Sequence, residues 1–339
     1  MADGLGTPVR VAVVGTGLIG GSVLLRLHAR GLDVTGWDPD EQTRRQARLA
    51  GVPTAERLVD ALADRDVVFL GGPLPTLPAT LVEVAGATGG NCLITDVGST
   101  KAALAAFAVQ QGLTRRFVPG HPMAGTDRAG LAAALPELLV GASWVLCPAP
   151  GGVAAFRRLA TLITEVFAAR VVPMAADRHD AVVALASHVP HLLAGALAGA
   201  AQRSPLRDAV LTLAAGSFRD GTRVAGTPPQ RTVNMLGGNR EEVLVALAEV
   251  TGFLDELAGA LRRADGDRLV GRYAEAGVAR AALVDRAFDQ QVRSFPDGEE
   301  HTEAEWLCGL GAAGGHLSAC RVTGGGVSYT AHRPPIARA

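Results

Sequence analysis

The chain has 339 residues, of which 48% are hydrophobic, and this length allows two domains that each bury a core. Its net charge of −1, with no basic stripe, predicts neither nucleic acid nor an anionic membrane surface as a partner. No apolar run of roughly 18 residues is free of polar interruption, the start MADGLGTPVR has no signal-peptide pattern, and the 4 cysteines are scattered, so we expect a cytoplasmic protein with reduced thiols.

A glycine-rich turn joins the first predicted strand to the first predicted helix. The segment VAVVGTGLIGGSVLLRL begins with β-branched residues and continues with apolar residues at helical spacing. Its glycines fit G-x-G-x-x-G, in which the first makes the tight turn, the second lets a pyrophosphate approach and the third lets helix pack on strand. A turn that serves packing alone is the alternative. The pattern predicts cofactor contacts at Gly15, Gly17, Leu18, Ile19 and Gly20.

An acidic residue ends the second predicted strand, LDVTGWDPD. Asp38 lies about 20 residues beyond the motif, where a carboxylate accepts hydrogen bonds from the ribose hydroxyls of NAD and repels the 2′-phosphate of NADP. A simple turn former before Pro39 is the alternative. Arg44 and Arg45 follow and offer partners for a phosphate, so NAD is favoured here without being exclusive.

The chain changes character twice. Short apolar runs alternate with helical patterns from residue 9 to about 173, which predicts a doubly wound, largely parallel sheet of the Rossmann type. Only helical patterns follow, with more apolar surface than one small bundle hides, so we expect a domain that forms a homodimer. We predict a dinucleotide-binding domain at 1–174, a helical substrate and dimerisation domain at 175–288 and a poorly ordered, glycine-rich tail at 289–339.

Two predicted strands are followed directly by residues suited to chemistry, at the sheet edge where ligands bind in such folds. CLITDV runs into GSTK, which holds Ser99 and the chain's one lysine, Lys101, and RFVPG runs into HPMAGTD, which holds His121. A histidine can accept a proton from a substrate hydroxyl near neutral pH, and a serine can orient either partner. A loop histidine with a structural role is the alternative, and the position after a strand favours catalysis.

The helical half holds a group of histidines in RHDAVVALASHVPHLLAG. His179, His188 and His191 suit the polar walls of a pocket better than a zinc site, because the H-E-x-x-H signature is absent and no carboxylate has ligand spacing. A zinc site in the tail has no standard spacing either; its candidate ligands are His301, Cys308, His316 and Cys320. We therefore predict no metal.

A charged loop, GSFRDGTRVAG, contains Arg219, Asp220 and Arg223. An arginine fork makes two parallel hydrogen bonds to a carboxylate, so this loop is a candidate substrate clamp. A solvated charged turn is the alternative.

The motifs VVGTGLIGGS, DVGSTK, GHPMAGT, HDAVVALASHVPH and FRDGTRVA, in this order, resemble the prephenate and arogenate dehydrogenases of tyrosine biosynthesis. The resemblance covers residues 9 to about 285, and the pair HPMAGT and SHVPH is more specific than the glycine motif. It implies a Rossmann domain that binds NAD, a helical dimerisation domain, and an active site in the cleft between them.

The resemblance also implies roles for single residues. His121 would hydrogen-bond the ring hydroxyl of the substrate, with Ser99 orienting it. Arg223 would bind a substrate carboxylate and His191 would line the side-chain pocket, while Arg219 and Asp220 would stand at the entrance. The implied substrate residues are His191, Arg223, Arg219, Asp220 and His188.

The implied activity is that of a prephenate dehydrogenase, which oxidises prephenate with NAD and releases CO2 and 4-hydroxyphenylpyruvate. A donating or protonated His191 would favour a keto acid over the ammonium of arogenate. Arogenate and 4-amino-4-deoxyprephenate stay open as substrates, because the usual W-x-D-I segment is replaced here by QRTVNMLGGNR.

Two other functions remain as alternatives. A β-hydroxyacid dehydrogenase shares the two-domain plan but uses a lysine of the helical domain, and this chain has none there. A non-enzymatic regulator that senses NAD would not need His121, Ser99 and Arg223 together.

Overall fold

The computed structural model describes residues 9–126 and 128–335, and its first half alternates strands with helices. The elements of this half are β1 (Arg10–Val14), α1 (Leu18–Ala29), β2 (Asp33–Trp37), α2 (Glu41–Leu49), α3 (Leu58–Leu62), β3 (Val67–Leu70), α4 (Leu77–Ala87), β4 (Leu93–Asp96), α5 (Ala102–Gln110), β5 (Phe117–Val118), β6 (Gly120–Pro122), β7 (Ser143–Leu146), α6 (Val153–Phe167) and β8 (Arg170–Pro173), with 3₁₀ turns at Leu74–Thr76 and Leu131–Ala133.

Five of these strands form a parallel sheet in the order β2-β1-β3-β4-β5. Val11 of β1 lies in register with Val34 of β2 and Val67 of β3. Every residue of β3 and β4 is buried, as expected for strands whose two faces are both covered by helices. The strand order reverses beside β1, and such a reversal opens a crevice at the carboxyl ends of the strands.

A second sheet continues from the first, in the order β6-β7-β8 with three strands from the C-terminal region completing it. β5 and β6 are separated only by Pro119, so one run of chain belongs first to one sheet and then to the other. β6 pairs with β7 antiparallel, and His121 lies opposite Val145. This pairing fixes His121 just beyond the carboxyl end of the parallel sheet.

The second half of the chain is helical up to Val284, which confirms the predicted sheet-then-helices fold class. Its elements are α7 (Ala176–Val183), a π-helical turn (Ala184–His188), α8 (Val189–Arg203), α9 (Arg207–Leu213), α10 (Gly216–Thr222), a 3₁₀ turn (Arg223–Gly226), α11 (Pro229–Gly238), α12 (Arg240–Arg262) and α13 (Gly266–Val284). The run Ala176–Arg203 is long and apolar enough to cross a membrane by length and composition, which is weak evidence when a single helix passes that test. α13 buries none of its residues within the chain.

The C-terminal region forms β9 (Asp289–Pro296), α14 (Glu300–Ala312), β10 (His316–Thr323) and β11 (Gly326–Arg333). The prediction of a poorly ordered tail is therefore wrong for residues 289–335, and residues 336–339 lie outside the described part of the chain. The glycines of VTGGGVSY make the turn of a β10–β11 hairpin, and β9 pairs with β11 along eight residues, from Asp289↔Arg333 to Pro296↔Gly326. The glycine-rich composition suggested disorder because only a few large apolar side chains pack this region onto the rest of the protein. Among them, Phe295, Leu307, Leu317 and Tyr329 are fully buried in the main core.

Candidate active site

The glycine turn has the shape that a dinucleotide needs. Gly15 has φ +90°, and a Cβ on Gly20 would lie 1.9 Å from the carbonyl oxygen of Gly15, so the turn and the helix contact both exclude side chains. A Cβ on Gly17 would meet nothing within 4 Å, which leaves open space beside the backbone. No side chain caps α1 in the described chain, so its first-turn N–H groups, those of Leu18 and Ile19 included, point at this space.

Asp38 lies beside this turn. Its Oδ2 accepts a hydrogen bond from the backbone N–H of Thr16 (2.7 Å), and its Oδ1 accepts one from Asp40 N–H (3.0 Å). Oδ2 also accepts a long hydrogen bond from the Thr16 hydroxyl (3.5 Å), while Oδ1 keeps a further lone pair for a ligand hydroxyl. Arg44 donates to the Asp38 carbonyl oxygen (2.7 Å). An acidic and a basic side chain therefore both lie where the adenosine ribose is predicted to bind. Arg45, on the exposed side of α2, makes no such contact.

A buried ion pair supports the carboxyl ends of β4 and β5. Lys101 and Asp96 are both fully buried, and Lys101 Nζ pairs with Asp96 Oδ2. Asp96 also accepts backbone hydrogen bonds from Gly98 (2.9 Å) and Gly120 (3.1 Å), which hold the two loops together. The chain's one lysine thus supplies a compact cation, an ammonium group, to a fully buried ion pair.

His121 meets the helical half of the chain through a second histidine. His121 Nδ1 and His179 Nε2 are 2.9 Å apart, and His179 Nδ1 lies 2.7 Å from Asp180 Oδ1. The two oxygens of Asp180 also accept the backbone N–H groups of Lys101 (2.8 Å) and Ala102 (2.9 Å) at the start of α5. A row of three polar side chains therefore runs from the sheet edge into the helical half.

His188 is fully buried next to this row. Asn239 Nδ2 donates to His188 Nδ1 (3.1 Å) and to the Asp180 carbonyl oxygen (2.7 Å). Because His188 Nδ1 accepts, the ring proton of the neutral form is on Nε2, and that atom is buried without a partner in the described chain. Burial lowers the pKa of His188 to about 4, so the ring is neutral at physiological pH.

The environment of His121 keeps it neutral too. Burial, followed by electrostatic repulsion from His179, Lys101 and His188 against a positive charge on the ring, holds the pKa of His121 well below its usual value of 6.5. Its Nε2 makes no hydrogen bond to a described residue. A neutral, half-buried imidazole with one nitrogen free is a proton acceptor for a bound hydroxyl.

Comparison with known proteins agrees with this geometry. Residues 22–172 match the family model described as prephenate dehydrogenase, nucleotide-binding domain, and residues 175–275 match prephenate dehydrogenase, dimerization domain. The chain belongs to the prephenate dehydrogenase family. Its members are oxidoreductases, and the match gives the chain a nucleotide-binding domain followed by a dimerization domain.

Individual relatives cover most of the chain. Cyclohexadienyl dehydrogenase of Zymomonas mobilis is 32% identical over 80% of this chain and 95% of its own length. Prephenate dehydrogenase of Bacillus subtilis is 32% identical over 76% of this chain and 72% of its own length. A crystal structure of prephenate dehydrogenase from A. aeolicus, in complex with hydroxyphenyl propionate and NAD+, superposes with a TM-score of 0.73 at 27% identity and covers 82% of this chain and 99% of that one.

Within this family fold, the predicted partner of His121 differs from the observed one. Ser99 follows β4 as expected, but its hydroxyl makes no hydrogen bond to any described residue, and the side chain that contacts His121 is His179. Of the two roles predicted for Ser99, a hydrogen bond to His121 is not present among the described residues, and orienting the substrate hydroxyl stays a prediction. Ser99 keeps a free hydroxyl at the same sheet edge.

His191 is half-buried on α8, one turn beyond His188. Its Nδ1 donates to the backbone carbonyl of Ser187 (2.9 Å). A neutral His191 therefore offers an acceptor at Nε2, and the expected repulsion of an ammonium holds only for the protonated ring.

The segment predicted as a charged loop is helical in the structure, with Arg219 and Asp220 on α10 and Arg223 at the start of a 3₁₀ turn. Arg219, Asp220 and Arg223 are exposed, and their side chains make no hydrogen bond or ion pair within the described chain. The 3₁₀ turn that begins at Arg223 packs against α8, the helix that carries His191. No group of three potential metal ligands occurs among residues 9–126 and 128–335.

The sequence analysis missed the role of one site residue and missed another residue altogether. His179 was predicted as a pocket wall and not as the partner of His121. Asn239 belongs to no motif, although its side chain donates to both His188 and the Asp180 carbonyl of α7. The dipeptide His179–Asp180 was the available signal, because a carboxylate beside a histidine often sets its tautomer.

Proposed function

We propose that the protein is an NAD-dependent prephenate dehydrogenase, which converts prephenate to 4-hydroxyphenylpyruvate and CO2. The observation that carries this proposal is His121: a neutral, half-buried base with a free Nε2 on the sheet edge that also bears the glycine turn. The relatives named prephenate and cyclohexadienyl dehydrogenase support it.

The glycine turn fits a dinucleotide, and we assign it NAD. Gly15, Gly17 and Gly20 would let the pyrophosphate reach the first turn of α1, and Asp38 would accept the ribose hydroxyls. The nicotinamide ring of NAD supplies the hydride acceptor when it is bound. The A. aeolicus relative, whose structure was solved with NAD+, supports this assignment.

The residues of the chain would do the remaining work on the substrate. His121 Nε2 accepts the proton of the ring hydroxyl, so that the carbon bearing it becomes a carbonyl-like electron sink as its hydride departs. The ring carboxylate then leaves as CO2 and the ring becomes aromatic, which makes the reaction effectively irreversible. We assign Arg223 to a substrate carboxylate, because its guanidinium has no protein partner. Ser99, with its free hydroxyl, is assigned to the same ring hydroxyl.

Arogenate is the second candidate substrate, and His191 is the reason. With Nδ1 bound to the Ser187 carbonyl, a neutral His191 presents an acceptor that an ammonium can use. The name cyclohexadienyl dehydrogenase of the Zymomonas mobilis relative agrees with this broader choice.

We also propose a cytoplasmic homodimer built by the helical region. α12 and α13 expose large apolar side chains that a lone subunit would leave in water. The most exposed are Leu244, Val245, Leu261, Val270, Tyr273, Val278, Leu283 and Val284. Light scattering at micromolar concentration should give twice the subunit mass of 34.8 kDa, and a mass of one subunit would contradict the proposal.

The proposed function is tested by steady-state kinetics with prephenate, arogenate and 4-amino-4-deoxyprephenate, each with NAD and with NADP. We expect the highest kcat/KM for prephenate with NAD. A higher value for arogenate would transfer the assignment to the second candidate. Binding of NAD without turnover of any of the three would favour a regulator instead of an enzyme.

A further inference from the structure

The row His121–His179–Asp180 has a fixed end. Asp180 is buried, and both of its oxygens accept backbone N–H groups from the start of α5, while its carbonyl accepts from Asn239. α7 therefore cannot shift without breaking hydrogen bonds to two other helices. Such anchoring places His179 Nε2 at 2.9 Å from His121 Nδ1 before any substrate binds.

The protons along the row follow from which atoms can donate. An ionised carboxylate only accepts, so the proton between Asp180 and His179 belongs to His179 Nδ1. A neutral His179 then has a bare Nε2, which must accept from His121 Nδ1. His121 is consequently neutral with its lone pair on Nε2, the nitrogen that faces no protein group.

We propose that His179 and Asp180 form a proton relay, in which His179 takes up the proton that His121 gives away. This rests on the proposed oxidation of a ring hydroxyl. As the substrate O–H bond breaks, a bond forms from that proton to His121 Nε2. In the same step the His121 Nδ1–H bond breaks and its proton joins His179 Nε2. His121 ends neutral, and His179 ends as an imidazolium paired with the Asp180 carboxylate, so no proton or charge is lost.

The surrounding charges explain why the proton should move on. The titratable groups that face His121 are His179, Lys101 and His188, and none of them is an acid. Asp96, the nearest carboxylate on the sheet side, is already paired with Lys101. A proton left on His121 would be a buried cation without a contacting carboxylate, whereas on His179 it touches Asp180. The same burial and the same three neighbours disfavour a positive charge on His121 and hold its pKa low.

His179→Gln separates proton uptake from positioning. A glutamine amide oxygen can accept the His121 Nδ1–H bond and keep the ring in place, but the amide cannot carry the proton. We expect kcat to fall by about 10², with KM within a factor of about two, because the lost step follows binding. The acidic limb of kcat/KM should also move to higher pH, because His179 is one of the groups that lower the pKa of His121. His301→Gln, a change of an exposed histidine on α14, is the matched control and should leave all of these values unchanged.

The wild-type enzyme offers a test that no folding defect can obscure. Single-turnover formation of NADH from prephenate and NAD is measured in mixtures of H2O and D2O. Two protons that move in one step give a curved dependence of rate on deuterium fraction, and one proton gives a straight line. We expect curvature for the wild type and a straight line for His179→Gln.

The outcomes separate this proposal from the proposed function. A straight line for the wild type, or a His179→Gln enzyme with unchanged kcat and pH profile, overturns the relay while leaving dehydrogenase activity intact. Absence of turnover by the wild type with every cyclohexadienyl substrate overturns the proposed function itself. A loss in His179→Gln that appears only in KM also overturns the relay, because it would make His179 a binding residue.

Discussion

Two buried polar networks in this molecule differ in how completely their atoms are paired. In the C-terminal region, Arg157 of α6 donates from Nε to Glu303 Oε1 (3.0 Å) and from Nη2 to Oε2, while the Tyr329 hydroxyl donates to the same carboxylate. That network is closed. The network of the cleft is open, because His188 Nε2 and His121 Nε2 have no partner among the described residues.

The difference separates a structural role from a functional one. Unpaired buried polar atoms cost free energy, so a network that keeps them needs a compensating use, such as a ligand. An unpaired atom alone does not mark a site, since Trp144 Nε1 also lacks a partner within the core. What distinguishes the cleft is that its unpaired atoms belong to neutral histidines beside the carboxyl ends of the strands.

The largest effect is expected for His121→Asn. Removing the base should lower kcat by about 10² to 10⁴, measured at a temperature where the variant stays folded. His28→Asn, an exposed change on α1, serves as the control. An enzyme with His121→Asn and full kcat would remove His121 from the mechanism.

In the closed network we expect a loss of stability without a loss of activity. Glu303→Ala leaves the buried Arg157 without its carboxylate and should lower the free energy of unfolding by about 3 to 5 kcal/mol, with kcat unchanged at temperatures where the protein stays folded. Chemical denaturation measures the free energy of unfolding. Glu305→Ala, on an exposed position of the same helix, should cost less than about 0.5 kcal/mol.

A double variant sharpens that test. Arg157→Leu with Glu303→Leu removes both charges and should recover most of the lost stability, since two apolar residues do not leave an unpaired charge. If the double variant is as unstable as Glu303→Ala, packing and not charge pairing holds the C-terminal region in place.

The same contrast explains what the sequence could and could not predict. The glycine turn, Asp38 and His121 were predictable because each follows a strand at a spacing that parallel sheets impose. The contact from His121 to His179 joins residues 58 positions apart across two regions of the chain, and no local pattern encodes such a distance. The C-terminal region was predicted as poorly ordered because its buried polar side chains pair with residues far away in the sequence, as Glu303 does with Arg157, 146 positions earlier.

Two buried histidines, one in each region, give the next prediction. The pKa values of His188 in the cleft and His316 in β10 are both lowered from 6.5 to about 4 by burial. Between these values the unfolded chain binds protons that the folded chain does not, so stability is complete above about pH 6.5 and is lost as the pH falls towards 4. Each histidine should contribute up to about 1.4 kcal/mol per pH unit.

Denaturation at several pH values checks this slope. His188→Gln and His316→Gln should each flatten it by a similar amount, but only His188→Gln should change KM or kcat, because only His188 belongs to the open network. Equal kinetic effects of both substitutions would mean that the networks do not differ in function.

The smallest effect concerns the glycine turn, where Arg44 extends the comparison. Its Nε is buried without a partner, while its other nitrogens contact the Asp38 carbonyl (2.7 Å) and Glu56 (3.6 Å), so it is only partly paired. Asp38→Ser removes the carboxylate that would repel a 2′-phosphate and frees Arg44 to bind it. We expect the ratio of kcat/KM for NADP to that for NAD to rise at least about fivefold, which corresponds to about 1 kcal/mol for one pair of charges in contact in water.

Asp40→Ser is the matched control. It keeps the cap of α2 and should leave this ratio unchanged, since Asp40 accepts from Gln42 and Thr43 and not from the turn. A wild-type preference for NADP, or an equal change in both variants, would show that Asp38 does not read the ribose and that the unpaired Arg44 nitrogen has another cause.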